Sequence, residues 1–284
     1  MKAPAFAYVK PASLQDVFDL LERYGDDAKL LAGGQSLLAA LNMRLAAPGV
    51  LIDINALTGL SGIRVAGGTV AIGALTRHRA VETSPDIAHH LPLLAQALPH
   101  VAHAAVRNRG TFGGSIAFAD PSAELPACSV ALGAQFVIAG RSGERRVPAR
   151  AFFKDLYETD LRPGELLVAG EFPMLAPGYR SAFQELARRH GDYAIVGLAA
   201  HAKVSGGALS DARLAFFGVG ATPVLAHAAA QALEGKPIAD AIAAAQAALD
   251  GELEPYGDIH NSAAARLHLA RVLLGRVVGD LLKS

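Results

Sequence analysis

The chain has 284 residues, enough for two domains with cores of ordinary size. Its 26 Lys and Arg balance its 26 Asp and Glu with no block of like charge, which speaks against a nucleic-acid surface or an anionic-membrane patch. The single cysteine, Cys128, excludes an intrachain disulfide framework and any iron–sulfur cluster ligated by the cysteines of this chain alone.

Apolar stretches are broken by Gly, Pro or charge well before the ~18 residues of a membrane helix. Residues 1–8 carry one lysine and a proline but no apolar signal-peptide core, so the cytoplasm is the expected address. Ser13 then reads as an N-cap before a helix over Leu14–Tyr24, with Leu14, Val17, Leu21 and Tyr24 on one face and Gly25 as the stop. A short strand over Lys29–Ala32, a helix over Ser36–Leu45 and a strand over Val50–Ile54 make the first 56 or so residues a small α/β unit. Ile63–Val65 and Thr69–Ile72 flank Ala66-Gly67-Gly68 as a hairpin. Helices are expected over Thr76–Thr83 and Leu91–Ala97, and a strand over Ala134–Ala139.

Pro163-Gly164, Pro173 and Pro177-Gly178 punctuate the chain, and residues 173–180 are the best linker candidate. Beyond it come strands around Phe183–Ala187 and Arg213–Val219, then three helices near Ala226–Leu233, Ala239–Leu249 and Ser262–Val278. The fold class is α+β. A first domain over 1–176 divides into a small α/β unit at about 1–56 and a larger α+β unit at 57–176. A second α+β domain covers 177–284.

Two glycine-pair segments carry the chemistry: Ala32-Gly33-Gly34-Gln35-Ser36 and Arg107-Asn108-Arg109-Gly110-Thr111-Phe112-Gly113-Gly114-Ser115. Glycine lets backbone approach a phosphate and adopt positive φ without a Cβ clash, and successive N–H groups in such turns form concave anion sites. Two of them suggest a ligand with two phosphates. The third pair, Gly67-Gly68, lies between strands and needs no ligand. Arg107 and Arg109 suit a phosphate, and equally suit a solvated or ion-paired loop. Asp120, before Pro121, reads as a turn residue.

Ten histidines raise the question of a metal. His100 and His103 are three apart but lack a third ligand at a known spacing. The neighbours His89 and His90 would diverge on a helix, so no metal site is expected. Cys128, beside an apolar run, reads as a buried inert thiol.

The two glycine segments, with Ala119-Asp120-Pro121-Ser122-Ala123-Glu124-Leu125-Pro126-Ala127 and Phe183-Gln184-Glu185-Leu186-Ala187-Arg188-Arg189-His190-Gly191-Asp192-Tyr193-Ala194, resemble the FAD-binding medium subunit of the molybdenum hydroxylases, the xanthine dehydrogenase and aerobic carbon monoxide dehydrogenase family. Order, spacing and length agree over essentially the whole chain. The resemblance implies that Ala32, Gly33, Gly34, Gln35 and Ser36 wrap the FAD pyrophosphate, and that Thr111, Gly113, Gly114 and Ser115 face it. It further implies that Val101 touches an apolar edge of the cofactor. Glu124, where the family more often has Asp, would accept from the hydroxyl-bearing portion. Leu167 and Tyr193 would lie against the isoalloxazine ring. Gln184 would stand where several relatives carry Lys.

The same resemblance implies a heterotrimer or a dimer of heterotrimers. A large subunit would hold molybdopterin, a small one two [2Fe–2S] clusters, and this chain would pass electrons through FAD to NAD, a quinone or a carrier protein. No catalytic acid or base is assigned to it. The rivals are a self-contained FAD-dependent oxidoreductase acting on a small molecule, and a binding protein that has lost FAD.

Overall fold

The computed structural model describes residues 2–283. The chain opens with β1 (Ala7–Val9), α1 (Leu14–Tyr24), β2 (Ala28–Leu31), α2 (Leu37–Asn42) and β3 (Val50–Asp53). Ser13 caps α1 reciprocally: Asp16 N donates to Ser13 Oγ at 3.1 Å, and Ser13 N donates to Asp16 Oδ2 at 3.0 Å. The three strands form a parallel sheet in the order β1-β3-β2. The expected α/β unit is present, with β1 as a strand that the sequence reading lacked. Its core, built on Val17, Val50 and Ile52, packs against Val137, Leu166 and Val168 of the next sheet.

That next unit begins with the hairpin β4 (Ile63–Ala66) and β5 (Thr69–Gly73). Gly67 and Gly68 both have positive φ, 55° and 76°, as a tight two-residue hairpin turn requires. Short helices follow: α3 (His78–Glu82), α4 (Pro85–His90), α5 (Pro92–Ala97), α6 (Ala104–Arg107), α7 (Phe112–Phe118) and α8 (Glu124–Ala131). Then come β6 (Gln135–Gly140), β7 (Gly143–Pro148), α9 (Ala149–Phe152), β8 (Phe153–Asp155), β9 (Glu158–Thr159) and β10 (Leu166–Pro173). An antiparallel sheet in the order β4-β5-β10-β6-β7 backs the helices.

The C-terminal unit has an antiparallel sheet of β11 (Tyr179–Ala187), β12 (Ala194–Ser205), β13 (Ala208–Phe217) and β14 (Val224–Leu225), with helices α10 (His227–Leu233), α11 (Ile238–Ala248) and α12 (Ala263–Lys283). The anticipated linker shrinks to residues 174–178, between β10 and β11. Leu198, Ala200 and Ala202 of β12 join the helix-side core, while Ala199 joins the core of the preceding unit. The sheet is therefore covered on both faces. That is why β12 escapes a search for alternating polarity: a strand buried on both sides reads as a continuous apolar run.

Candidate functional site

The first glycine loop leaves β2 at Leu31 and enters α2. Asn55 holds it from beneath: its Nδ2 donates to Ala32 O at 2.8 Å and Leu31 O at 3.3 Å. Gly34 takes φ 73°, a left-handed conformation natural to glycine. Gln35 Nε2 donates to Gly33 O at 3.0 Å, which tightens the turn from inside. Gln35 and Ser36 are exposed. The N–H groups of Gly33, Gly34, Gln35 and Ser36 have no acceptor among the described residues. Four neighbouring donors left open on one loop are the chemistry of an anion cradle.

The second segment differs from its reading as a matching loop. Residues 112–118 are helical, with Thr111 as N-cap. Its amides already have partners: Phe112 N donates to Thr76 O at 2.9 Å, Gly113 N to Ala74 O at 2.8 Å, and Ser115 N to Thr111 O at 3.1 Å. Gly114 N donates to Thr111 Oγ1 at 3.2 Å. The amides at 112–115 thus serve the fold, unlike the open ones at 33–36. Gly113 is there for packing, since a Cβ would stand 2.5 Å from that of Ala74.

What this segment offers instead is the Ser115 hydroxyl. The buried His78 places Nε2 2.9 Å from Thr111 O and 3.3 Å from Ser115 Oγ. Burial pushes His78 down to about 4, so the ring is neutral near pH 7. A carbonyl oxygen only accepts, so Nε2 carries the ring proton and the Ser115 hydroxyl proton points elsewhere.

The two glycine segments meet. A Cβ on Gly33 would lie 2.5 Å from Arg109 O and 2.8 Å from the Gly110 α-carbon. Arg77 stitches the junction, donating to Arg109 O through Nη1 and to Asn55 Oδ1 at 2.8 Å through Nη2. The sequence reading missed Arg77, Asn55 and His78, none of which lies in a recognisable motif. Of the two readings of Arg107, the ion-paired one holds. It meets Glu82 at 3.0 Å and donates to the carbonyls of Val101 and Ala102 at 3.1 and 3.0 Å. The Arg109 side chain is exposed.

Val101 and Leu167 are buried in one core with Phe112 and Ile116. Glu124 opens α8 and is buried. Burial, with Glu185 and Asp120 nearby, pushes its carboxyl up to about 8 against the opposing pull of a backbone N–H. Asp120 accepts from Ser122 N at 2.9 Å, and burial raises its carboxyl too. Tyr193 follows in the β11–β12 loop and is 70% exposed; partial desolvation and the charges of Asp120 and Glu124 raise its pKa.

Strand β11 separates two neighbours. Gln184 Nε2 donates to Asp280 on α12, so its side chain lies on the helix face of the sheet. Glu185 faces the other way, with Oε1 3.4 Å from His100 Nδ1, a side chain 3% exposed, and Oε2 without a partner among the described residues. The structure thus gathers 32–36 with 109–111, and Glu124 with Asp120, Tyr193 and Glu185. Gln184 stands apart from both groups. The two-residue period of a strand is the signal that separates it from Glu185.

The rings of His89 and His90 meet edge-on with centroids 4.5 Å apart instead of diverging. No group of three His, Cys, Asp or Glu among the described residues could hold a metal. No helix among them is long and apolar enough to cross a membrane. Cys128 is fully buried, and burial beside Glu124 and Glu185 holds its thiol well above the usual range.

Residues 4–175 match the FAD binding domain in molybdopterin dehydrogenase, and residues 181–281 match the CO dehydrogenase flavoprotein C-terminal domain. The chain is 41% identical to the 6-hydroxypseudooxynicotine dehydrogenase complex subunit alpha of Paenarthrobacter nicotinovorans, over 99% of this chain and 96% of that one. It is 39% identical to the carbon monoxide dehydrogenase medium chain of Hydrogenophaga pseudoflava, over 98% and 97%. A solved carbon monoxide dehydrogenase from Hydrogenophaga pseudoflava superposes with a TM-score of 0.97 at 41% identity, over 100% of this chain and 99% of that one. Matching domains along nearly the whole length, on one fold and around one open loop of amides, make this chain a member of the FAD-binding subunits of the molybdenum hydroxylases, the family of carbon monoxide dehydrogenase and xanthine dehydrogenase.

Proposed function

We propose that this chain holds FAD between the Ala32–Ser36 loop and the start of α7, and conducts electrons from [2Fe–2S] clusters of a small partner subunit to an external acceptor such as NAD, a quinone or a carrier protein. The observation that carries the reading is the run of four consecutive unpartnered N–H groups at 33–36, facing a segment whose amides at 112–115 all have partners. Bound FAD supplies the two-electron store and the exchange between two-electron and single-electron partners.

The chain supplies position. Amides of Gly33–Ser36 hold the pyrophosphate, and Ser115 donates its hydroxyl beside them. Val101 and Leu167 form the apolar wall under the cofactor. Glu124, neutral near pH 7, can both donate to and accept from a hydroxyl-bearing chain. Tyr193 covers the ring from the exposed side. The complex completes with a large molybdopterin-binding subunit in a heterotrimer, single or doubled, in the cytoplasm.

The test is purification with and without the partners. The chain alone should hold FAD, with flavin absorbance surviving gel filtration, and oxidise no organic substrate. Co-expression with a cognate iron–sulfur and molybdenum pair should restore turnover. Robust substrate oxidation by this chain alone would make it a self-contained oxidoreductase.

A further inference from the structure

The turn between α5 and α6 is gathered by one side chain. Arg107, the last residue of α6, is 11% exposed and meets the equally covered Glu82 of α3 through two bonds, Nε to Oε2 at 3.0 Å and Nη2 to Oε1 at 3.2 Å. Its remaining nitrogen, Nη1, faces three carbonyls of the turn: Pro99 O at 3.4 Å, Val101 O at 3.1 Å and Ala102 O at 3.0 Å. Carbonyl oxygens repel one another where they converge, and a cation among them offsets that repulsion. Ala102 takes φ 46°, in the left-handed region that a residue with a Cβ seldom enters. A strained residue persists only where its surroundings over-determine it, and here the guanidinium fork does so.

The second domain rests on this turn. Gly191 of the β11–β12 loop has φ 79°, and a Cβ added to it would stand 2.7 Å from both Ala102 O and His103 Nδ1. Ala102 O is thus shared: it accepts from Arg107 and lies against Gly191. The rings of His100 and His190 also meet edge-on, with centroids 5.9 Å apart. Local bonds carry the position of Gly191 to Tyr193. Asp192 N donates to Arg189 O at 3.1 Å, and Tyr193 N donates to Asp192 Oδ1 at 3.1 Å. A buried ion pair of one domain and an exposed tyrosine of the other are therefore connected by way of one backbone carbonyl.

We propose that Arg107 is a positioning residue for the flavin site: with Glu82 it fixes the Pro99–Ala102 turn as the seat of the Gly191–Tyr193 loop, and so sets how closely Tyr193 covers the ring. This role rests on the proposed placement of FAD. It gives the arginine a task other than binding phosphate. Nη1 also holds the carbonyl of Val101, the residue whose side chain walls the cofactor. Lysine cannot take the role over, because its ammonium can neutralise Glu82 or meet the carbonyls but lacks the planar fork to do both.

Hydrogen exchange of the purified full chain, followed by mass spectrometry, reads the seat. Stopped-flow reoxidation by oxygen at matched FAD occupancy reads the cover. Arg107→Met should speed exchange at least about threefold in residues 99–103 and likewise in 188–194, and Gly191→Ala should do the same from the other side. Reoxidation should quicken in both variants, with Arg107→Lys falling between Arg107→Met and wild type. The double variant should exceed the faster single variant by no more than about twofold, because both substitutions act on one opening. Faster exchange confined to 99–108 would make Arg107 a local prop and overturn the proposal. Effects of the two substitutions that multiply would overturn it too, as would unchanged reoxidation with FAD in place. Should Arg107→Met not fold, Arg107→Lys carries the same comparison with Gly191→Ala. FAD occupancy is scored by absorbance after gel filtration, so a failed flavoprotein reading shows as missing flavin, and a failed seat as exchange that stops at the first domain.

Discussion

Gly33 sits against the backbone of Gly110, so near that a Cβ on Gly33 would fall 2.8 Å from the Gly110 α-carbon and 2.5 Å from Arg109 O. The glycine serves the approach of one loop to another, and the amide cradle is a consequence of that approach. Gly33→Ala must push the loops apart, at the ~1–3 kcal/mol typical of overpacking. Most of that strain should appear as weaker FAD binding, roughly tenfold in Kd, with a smaller fall in Tm. Calorimetric titration of the apoprotein with FAD measures it, and unchanged affinity would detach the Gly33–Gly110 contact from the cofactor.

Arg77 spans the same junction from the side, bonded to Arg109 O and Asn55 Oδ1. Its planar fork makes two divergent bonds that a lysine ammonium on a flexible stem cannot reproduce in the same geometry. Arg77→Lys keeps the charge and should still weaken FAD binding several-fold. If only the positive charge mattered, the lysine variant would bind as wild type does and Arg77→Met would not.

Three buried groups set an expected stability profile. His78 and His201 are each pushed down to about 4 by burial. Unfolded histidines bind protons below about 6.5, so stability rises with pH from about 4 to about 6.5. Glu124 is pushed up to about 8. Its unfolded counterpart loses a proton above about 4.3, so this group removes stability as pH climbs toward 8. Two rising contributions outweigh one falling contribution up to about 6.5, and only the falling one continues beyond. Tm should therefore peak near pH 6.5 and decline toward 8. In Glu124→Gln the decline should flatten, and a wild-type decline of equal steepness would show that another group causes it.

The sequence discloses the local part of this design. The α1 cap, the Gly67-Gly68 hairpin and the helix-rich C-terminus rest on neighbouring residues, and all three are present. The resemblance adds the family because its motifs are contiguous. The sequence conceals what depends on distant partners. The amides of Phe112 and Gly113 look as open as those of Gly33 until Thr76 and Ala74 are seen to accept from them. Arg77 has no motif because its partners lie 22 and 32 positions away. Gln184 and Glu185 differ only in the face of β11 they occupy, which needs the partner layers to decide.

Tyr193 is the residue whose two possible roles the structure makes separable. A tyrosine that merely packed its own domain would be covered by that domain, yet this side chain is 70% exposed. Substitutions at exposed positions away from special features usually change stability by within about 0.5 kcal/mol, so Tyr193→Ala should leave Tm almost unmoved. Loss of a stacking contact of about 0.5–1.5 kcal/mol should weaken FAD binding roughly two- to tenfold. Opening the exposed side of the ring should also speed its reaction with oxygen or a small acceptor. Stopped-flow reoxidation at matched FAD occupancy reads that change directly. A large drop in Tm with unaltered reoxidation would instead make Tyr193 a packing residue, and the ring would then need another cover.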